Sequence, residues 1–176
     1  MLSHYHYSES EQKQLLKSIT VLADTRENQN QHIVSWLTKK SIPCQSMKLG
    51  SGDYSFMVPA NSELGIYRDM YFDNEIWVER KASLDELSNN LSHERQRFED
   101  EMLRAGTCQK YLLIESGSLN DIINGHYKTE LSPSSYFASV LTFSQRYGLE
   151  TIFASPEHSG QVIYGLFYYH LRELLK

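Results

Sequence analysis

Apolar positions along this chain alternate between two periods, one of about two residues and one of about three and a half, and each period predicts its own kind of element. Ile19 to Ala23 is a compact β-prone run, closed by Asp24-Thr25-Arg26-Glu27. Between Asn30 and Lys40, Ile33, Trp36 and Leu37 recur at helical spacing, and Pro43 marks the end of that helix. Met47 and Leu49 then alternate, as do Tyr54, Phe56 and Val58, with Gly50-Ser51-Gly52 between them as a turn or bulge. Residues 59–74 read as a loop or hairpin arm, and Glu75 to Lys81 as a further strand.

The helical period returns after Lys81. Ser83 and Glu86 have the spacing of a capping box, ahead of Leu84, Leu87 and Leu91. From His93 to Ala105, Arg95–Glu99, Arg97–Glu101 and Asp100–Arg104 pair opposite charges at i,i+4, and Gly106 follows as a stop. Tyr111 to Glu115 and Thr151 to Ala154 are short strands. Ser132-Pro133 and Ser155-Pro156 each begin a helix, the first striped by Tyr136, Phe137, Val140 and Leu141, the second by Ile163, Leu166, Phe167, Leu171 and Leu174. Near the start, Ser8 and Glu11 cap another short helix. Strands interleaved with helices predict one α/β domain over residues 19–176, a central mixed sheet flanked by helices, preceded by an extension over residues 1–18.

Composition narrows the setting more than the chemistry. The 176 residues suit a single domain, 40% hydrophobic and 22% charged. Cys44 and Cys108 form no C-x-x-C pair and read as reduced buried thiols. No apolar run reaches the ~20 residues of a membrane span, and the N-terminus lacks a signal peptide's pattern. A protein of the cytoplasm, bacterial or that of a phage-infected host, is the expectation. With 17 basic against 22 acidic residues the net charge is −5, unlike a general nucleic-acid coat. A local basic groove remains compatible with that balance where metal ions neutralise carboxylates.

Motifs at strand ends carry the chemistry: Asp24-x-Arg26-Glu27, Gly52-Asp53-Tyr54, and Glu79-Arg80-Lys81-x-x-x-Asp85. Side chains alternate along a strand, so Glu79 and Lys81 share a face and Arg80 takes the other. Carboxylates from separate strands meeting at one point are costly to bury without a cation. Oxygen donors of this kind suit a hard divalent ion, Mg²⁺ or Mn²⁺, which polarises a phosphodiester and activates water. Lys81 then positions or deprotonates that water, or stabilises charge at phosphorus. No organic cofactor is called for.

In that order and spacing, Val21-Leu22-Ala23-Asp24-Thr25-Arg26-Glu27, Gly52-Asp53-Tyr54 and Val78-Glu79-Arg80-Lys81-x-x-x-Asp85 resemble the nuclease domain of the XPF/Hef structure-specific endonucleases. The resemblance runs from Val21 to the C-terminus and implies a restriction-endonuclease-like fold. It implies a metal-dependent DNA endonuclease acting on branched or otherwise structured DNA, in repair or recombination. Asp24, Asp53, Glu79 and Lys81 would be catalytic, with Asp53, Glu79, Asp24 and the Arg80 backbone carbonyl about the metal. Arg26, Glu27, Arg80 and Asp85 fill the remaining motif positions, holding the site or touching phosphate. Asp85 also suits the first turn of its helix. The resemblance further implies a homodimer through the C-terminal helices. A tandem helix-hairpin-helix duplex grip, usual in the family, has no counterpart here, and the arm at 59–74 lengthens the spacing from Asp53 to Glu79. The expected form is therefore a compact stand-alone one.

Arg95 and Arg97 suit phosphate contacts, but their i,i+4 glutamates offer the plainer reading, a helix surface. His4 and His6 suit a metal less well than a terminal tail, and His93, His126 and His170 show no partner spacing. Phe167-Tyr168-Tyr169 can stack bases, or bury in the core or a dimer interface. Two other functions stay open at this level. One is a catalytically silent nuclease fold that scaffolds DNA or a partner protein. The other is a carboxylate–metal phosphohydrolase acting on nucleotides, although Gly50-Ser51-Gly52 is too short for a phosphate-binding loop.

Overall fold

A computed structural model describes residues 6–176. Seven strands form one mixed sheet in the order β2-β1-β3-β5-β6-β7, with β4 pairing onto β3. The strands are β1 (Thr20–Ala23), β2 (Cys44–Ser46), β3 (Tyr54–Val58), β4 (Met70–Tyr71), β5 (Ile76–Lys81), β6 (Gln109–Ile114) and β7 (Leu149–Phe153). The helices are α1 (Glu9–Lys17), α2 (Gln31–Lys39), α3 (Leu84–Leu91), α4 (Arg95–Arg104), α5 (Leu119–Asn124), α6 (Pro133–Tyr147) and α7 (Pro156–Leu174). The α/β expectation with a mixed central sheet holds.

Period-two alternation sorts the sheet into two faces. Val21, Ala23, Tyr54, Phe56, Val58, Ile76 and Val78 pack with Leu15 and Leu16 of α1, Ile33 and Leu37 of α2, and Ile163, Phe167 and Leu171 of α7. Trp77, Leu112 and Ile114 take the other face, under α3, α4, α5 and α6. Phe167 belongs to the first core, stacked 5.3 Å from Phe56, whereas Tyr169 is 58% exposed. That settles Phe167 as core.

Caps foreseen from sequence are present. Ser8 and Glu11 close a reciprocal box on α1, Ser83 accepts the Glu86 N–H on α3, and Ser132 with Pro133 opens α6. Glu86 returns its carboxylate to the N–H of Ala82, one residue before the cap. The extended segment expected at Met47 and Leu49 pairs earlier, at Cys44–Ser46, because parallel pairing with β1 joins Val21 to Cys44 and ends at Ala23 and Ser46. Leu49 then leaves the ladder, and its N–H goes to the Asp24 carboxylate at 2.7 Å. The arm at 59–74 folds back on the sheet, where Phe72 stacks on Phe56 at 4.3 Å. Helix α5 went unforeseen: only Ile122 of its six residues is buried, too little to make a stripe. Cys44 and Cys108 are both free. No helix among the described residues is long and apolar enough to cross a membrane.

Strand direction places the motifs. β1, β5 and β6 run one way and β3 runs against them. The C-terminal ends of β1 and β5 and the start of β3 therefore share one edge of the sheet. Asp24 follows β1, Asp53 precedes β3, and Glu79 and Lys81 end β5, so the three motifs meet there.

Candidate active site

Asp53 enters β3 held on every side by main chain. Its N–H donates to Val78 O at 2.9 Å, its carbonyl accepts from Asp24 N at 2.8 Å, and its Oδ2 accepts from Arg80 N at 2.8 Å. Gly52 before it adopts φ +70°, and a Cβ there would sit 2.6 Å from the Trp77 ring. Both the left-handed backbone and the indole behind it thus require glycine.

One residue in two along β5 looks toward α3 and α4. There Glu79 and Lys81, only 6% and 7% exposed, form an ion pair of 2.7 Å between Lys81 Nζ and Glu79 Oε1. Lys81 also lies 3.6 Å from Glu86 and over the Phe98 ring. Glu79, Lys81, Glu86, Arg97, Phe98 and Glu101 line a cleft of about 280 Å³. Burial, reinforced by the charge of Glu79, pushes the Asp53 carboxyl well above the ordinary carboxylate range. Burial likewise raises Glu79, against the pull of Lys81. Lys81 is lowered by burial, but Glu79 outweighs that and holds it above the usual lysine value. Two neighbouring carboxyls are therefore short of positive charge.

That shortage fits a divalent cation. Asp53 and Glu79 supply hard oxygen donors. Val78 O points to β3, and by the two-residue repeat the Arg80 carbonyl faces the same edge. Among the described residues no three His, Cys, Asp or Glu side chains converge as a self-sufficient ion cage.

The remaining motif residues are spread more widely. Asp24, 1% exposed, reaches the same edge, but its Oδ1 accepts from Arg26 N and Nε and its Oδ2 from Leu49 N. Burial acts to raise its pKa, and the bonds from Arg26 and Leu49 more than reverse that, leaving it lowered. Its oxygens hold the turn beside the Asp53–Glu79 pair. Arg26 is otherwise in solvent, with a side chain 64% exposed.

Arg80 points to the opposite face, as strand parity requires. Its guanidinium donates to Glu115 Oε2 at 2.6 Å, Glu27 Oε1 at 3.1 Å and Gln29 O at 3.0 Å. His32 of α2 reaches the other Glu115 oxygen at 2.5 Å. Arg80 and Glu27 are thereby bonded together in a network beneath the site. Glu115 and His32 were not singled out in the sequence, since only the parallel pairing of β5 with β6 brings Glu115 to Arg80.

Asp85 turns away and accepts the Lys128 N–H at 2.7 Å, tying down the segment after α5. Arg95 is half-buried, bonded to Glu99 at 2.9 Å and Ser139 at 3.1 Å and lying over Phe143. Arg97 is 76% exposed at the cleft, 3.8 Å from Glu94. The Arg97–Glu101 pair expected from spacing is replaced by this Glu94 contact, and Glu101 instead turns toward Gly52. Neither Glu86 nor Glu101 carried a site signal in the sequence, because each had a helix role that explained it. Of the histidines weighed as ligands, His4 lies outside the described residues.

Comparison with known proteins identifies the family and the fold. The family described as the ERCC4 domain matches residues 23–166. The structure of XPF from Aeropyrum pernix superposes with a TM-score of 0.61 at 20% identity, covering 86% of this chain and 61% of that one. XPF from Aeropyrum pernix in complex with DNA gives 0.62 at 18% identity, covering 88% and 66%. This chain thus spans less than two thirds of those chains' length, and at such identities the likeness is one of fold. No curated protein matches at the sequence level.

Proposed function

The chain belongs to the ERCC4 domain family, a family of DNA endonucleases, and from that membership we propose that it is a divalent-metal-dependent endodeoxyribonuclease. Its substrate in this reading is branched or otherwise structured DNA, met in repair or recombination in the cytoplasm. The observation that carries the reading is the meeting of Asp53 and Glu79 at one edge of the sheet, with Lys81 bonded to Glu79 at 2.7 Å and burial acting to raise both carboxyls. A silent scaffold has no use for two carboxyls kept at such cost.

Asp53, Glu79 and the Arg80 carbonyl would hold Mg²⁺ or Mn²⁺. The ion, when bound, supplies Lewis-acid polarisation of the phosphodiester and a lowered pKa for water. Lys81, protonated beside Glu79, offers N–H donors to the charge that develops on the phosphoryl oxygens. Asp24 and Arg26 brace the turn that delivers Asp53. Arg97, exposed at the cleft, takes a phosphate of the flanking backbone.

The test is cleavage of labelled fork, flap, duplex and single-stranded DNA with Mg²⁺ or Mn²⁺ by wild type and by Asp53→Ala. Wild type is expected to cut a branched substrate and the variant none. Binding without cutting by both proteins would hand the chain to the scaffold reading.

A second copy completes the proposal, placed against α7. Val162, Leu166 and the exposed Tyr169 flank a groove there with Tyr111, where aromatic and aliphatic surface stands uncovered. In sedimentation equilibrium, wild type should run as a dimer and Tyr169→Glu as a monomer. A wild type that stays monomeric at roughly tens of micromolar ends this part of the proposal.

A further inference from the structure

We infer that Glu101 is a positioning residue for Asp53, acting through the main chain of Gly52; the inference rests on the reading of Asp53 as a metal ligand.

Around Asp53 the sheet supplies almost every restraint. Val78, Asp24 and Arg80 hold its N–H, its carbonyl and its carboxylate. The residue before it lies outside the β3 ladder, so the N–H of Gly52 must find its acceptor elsewhere. It donates to Glu101 Oε1 at 3.3 Å. Trp77 closes the other side, so the turn is wedged between an indole and a carboxylate. Glu101 comes from α4, a helix anchored by Phe98 and Met102 in the core beneath α6. It thereby ties a helix of the core to the main chain directly before Asp53, which the β3 ladder does not hold.

Local sequence argues against that geometry, which makes it informative. An i,i+4 partner, Arg97, stands one turn away on the same helix, yet it lies 3.8 Å from Glu94 instead. The Glu101 side chain lines the cleft beside Glu79 and Lys81, where a further negative charge raises the Glu79 carboxyl. Accepting a main-chain N–H is a reason to place a carboxylate there despite that repulsion.

A hydrogen-bond role and a charge role differ under substitution. Glu101→Gln keeps an acceptor oxygen and loses the charge; Glu101→Ala loses both. With full-length protein, Mn²⁺ and a labelled fork, Glu101→Ala should lower kcat about tenfold to a hundredfold, as ligand misplacement does. Its KM should stay within about twofold of wild type. Glu101→Gln should recover most of kcat. In the metal-free proteins, amide exchange at Gly52 should quicken about tenfold in Glu101→Ala and stay near wild type in Glu101→Gln.

If Glu101→Gln is as impaired as Glu101→Ala, Glu101 acts by charge and the inference is overturned. Unchanged Gly52 exchange in Glu101→Ala overturns it as well, whether or not DNA is cut. A wild type that cuts no DNA defeats the nuclease reading alone, and the exchange measurement still decides for or against the Glu101–Gly52 tie.

Discussion

Asp53→Asn is expected to abolish cleavage, by about a thousandfold or more, while leaving the metal-free protein at least as stable as wild type. The asparagine oxygen still accepts the Arg80 N–H, so the local geometry survives. What disappears is a charge that burial and Glu79 both oppose. A carboxyl whose folded pKa lies above its unfolded value of about 3.9 contributes stability below that value and loses it as pH rises through the folded pKa. The Asp53 contribution should therefore fall as pH rises above about 4, so that metal-free wild type loses melting temperature relative to Asp53→Asn over that range. Adding Mn²⁺ should raise the melting temperature of wild type, because the ion binds only the folded site, and leave Asp53→Asn nearly unmoved. Melting curves with chelator and with Mn²⁺, taken across that range, measure all three effects. A metal-free Asp53→Asn protein that melts below wild type at neutral pH would mean the Asp53 charge is satisfied without a cation.

Arg80→Met should be the most destabilising single change in the motifs. The substitution fills much of the space but strands Glu27 and Glu115, whose side chains are 10% and 3% exposed, without their shared cation. Breaking a buried pair from one side costs about 3–5 kcal/mol, a large part of a typical domain's stability. At this chain length the melting temperature should fall by about 10 °C or more. Arg80→Lys should recover little, since one ammonium cannot serve Glu115, Glu27 and the Gln29 carbonyl in the same planar array. Thermal denaturation and DNA affinity, measured together, separate the two roles a motif arginine can have. Melting within about 3 °C of wild type alongside lost DNA binding would make Arg80 a phosphate contact instead.

Much of this was legible beforehand because the signals are local. Ser8, Ser83 and Ser132 announce helix starts through contacts three residues away, and the structure keeps each. Alternation in Ile76 to Lys81 by itself assigns Glu79 and Lys81 to one face and Arg80 to the other. Where the local signal is weak, long-range pairing decides. The strand at Met47 and Leu49 was set by its own alternation, whereas pairing with β1 placed it at Cys44–Ser46. Helix α5 buries only Ile122 and leaves no period to detect.

By itself, then, the sequence determined most of the elements, the faces that Glu79, Arg80 and Lys81 take, and the presence of carboxylates with a lysine at strand ends. Those follow from backbone periodicity and capping, which act over a few residues. Only the tertiary structure decided which partner each long charged side chain would choose. Glu115 reaches Arg80 because β6 lies parallel beside β5, Asp24 is spent on Leu49 and Arg26, Asp85 holds Lys128, and Glu101 passes over Arg97 for the Gly52 N–H. An ion pair one helical turn away is worth only a few tenths of a kcal/mol, so a polar group that the fold would otherwise leave unpaired outbids it.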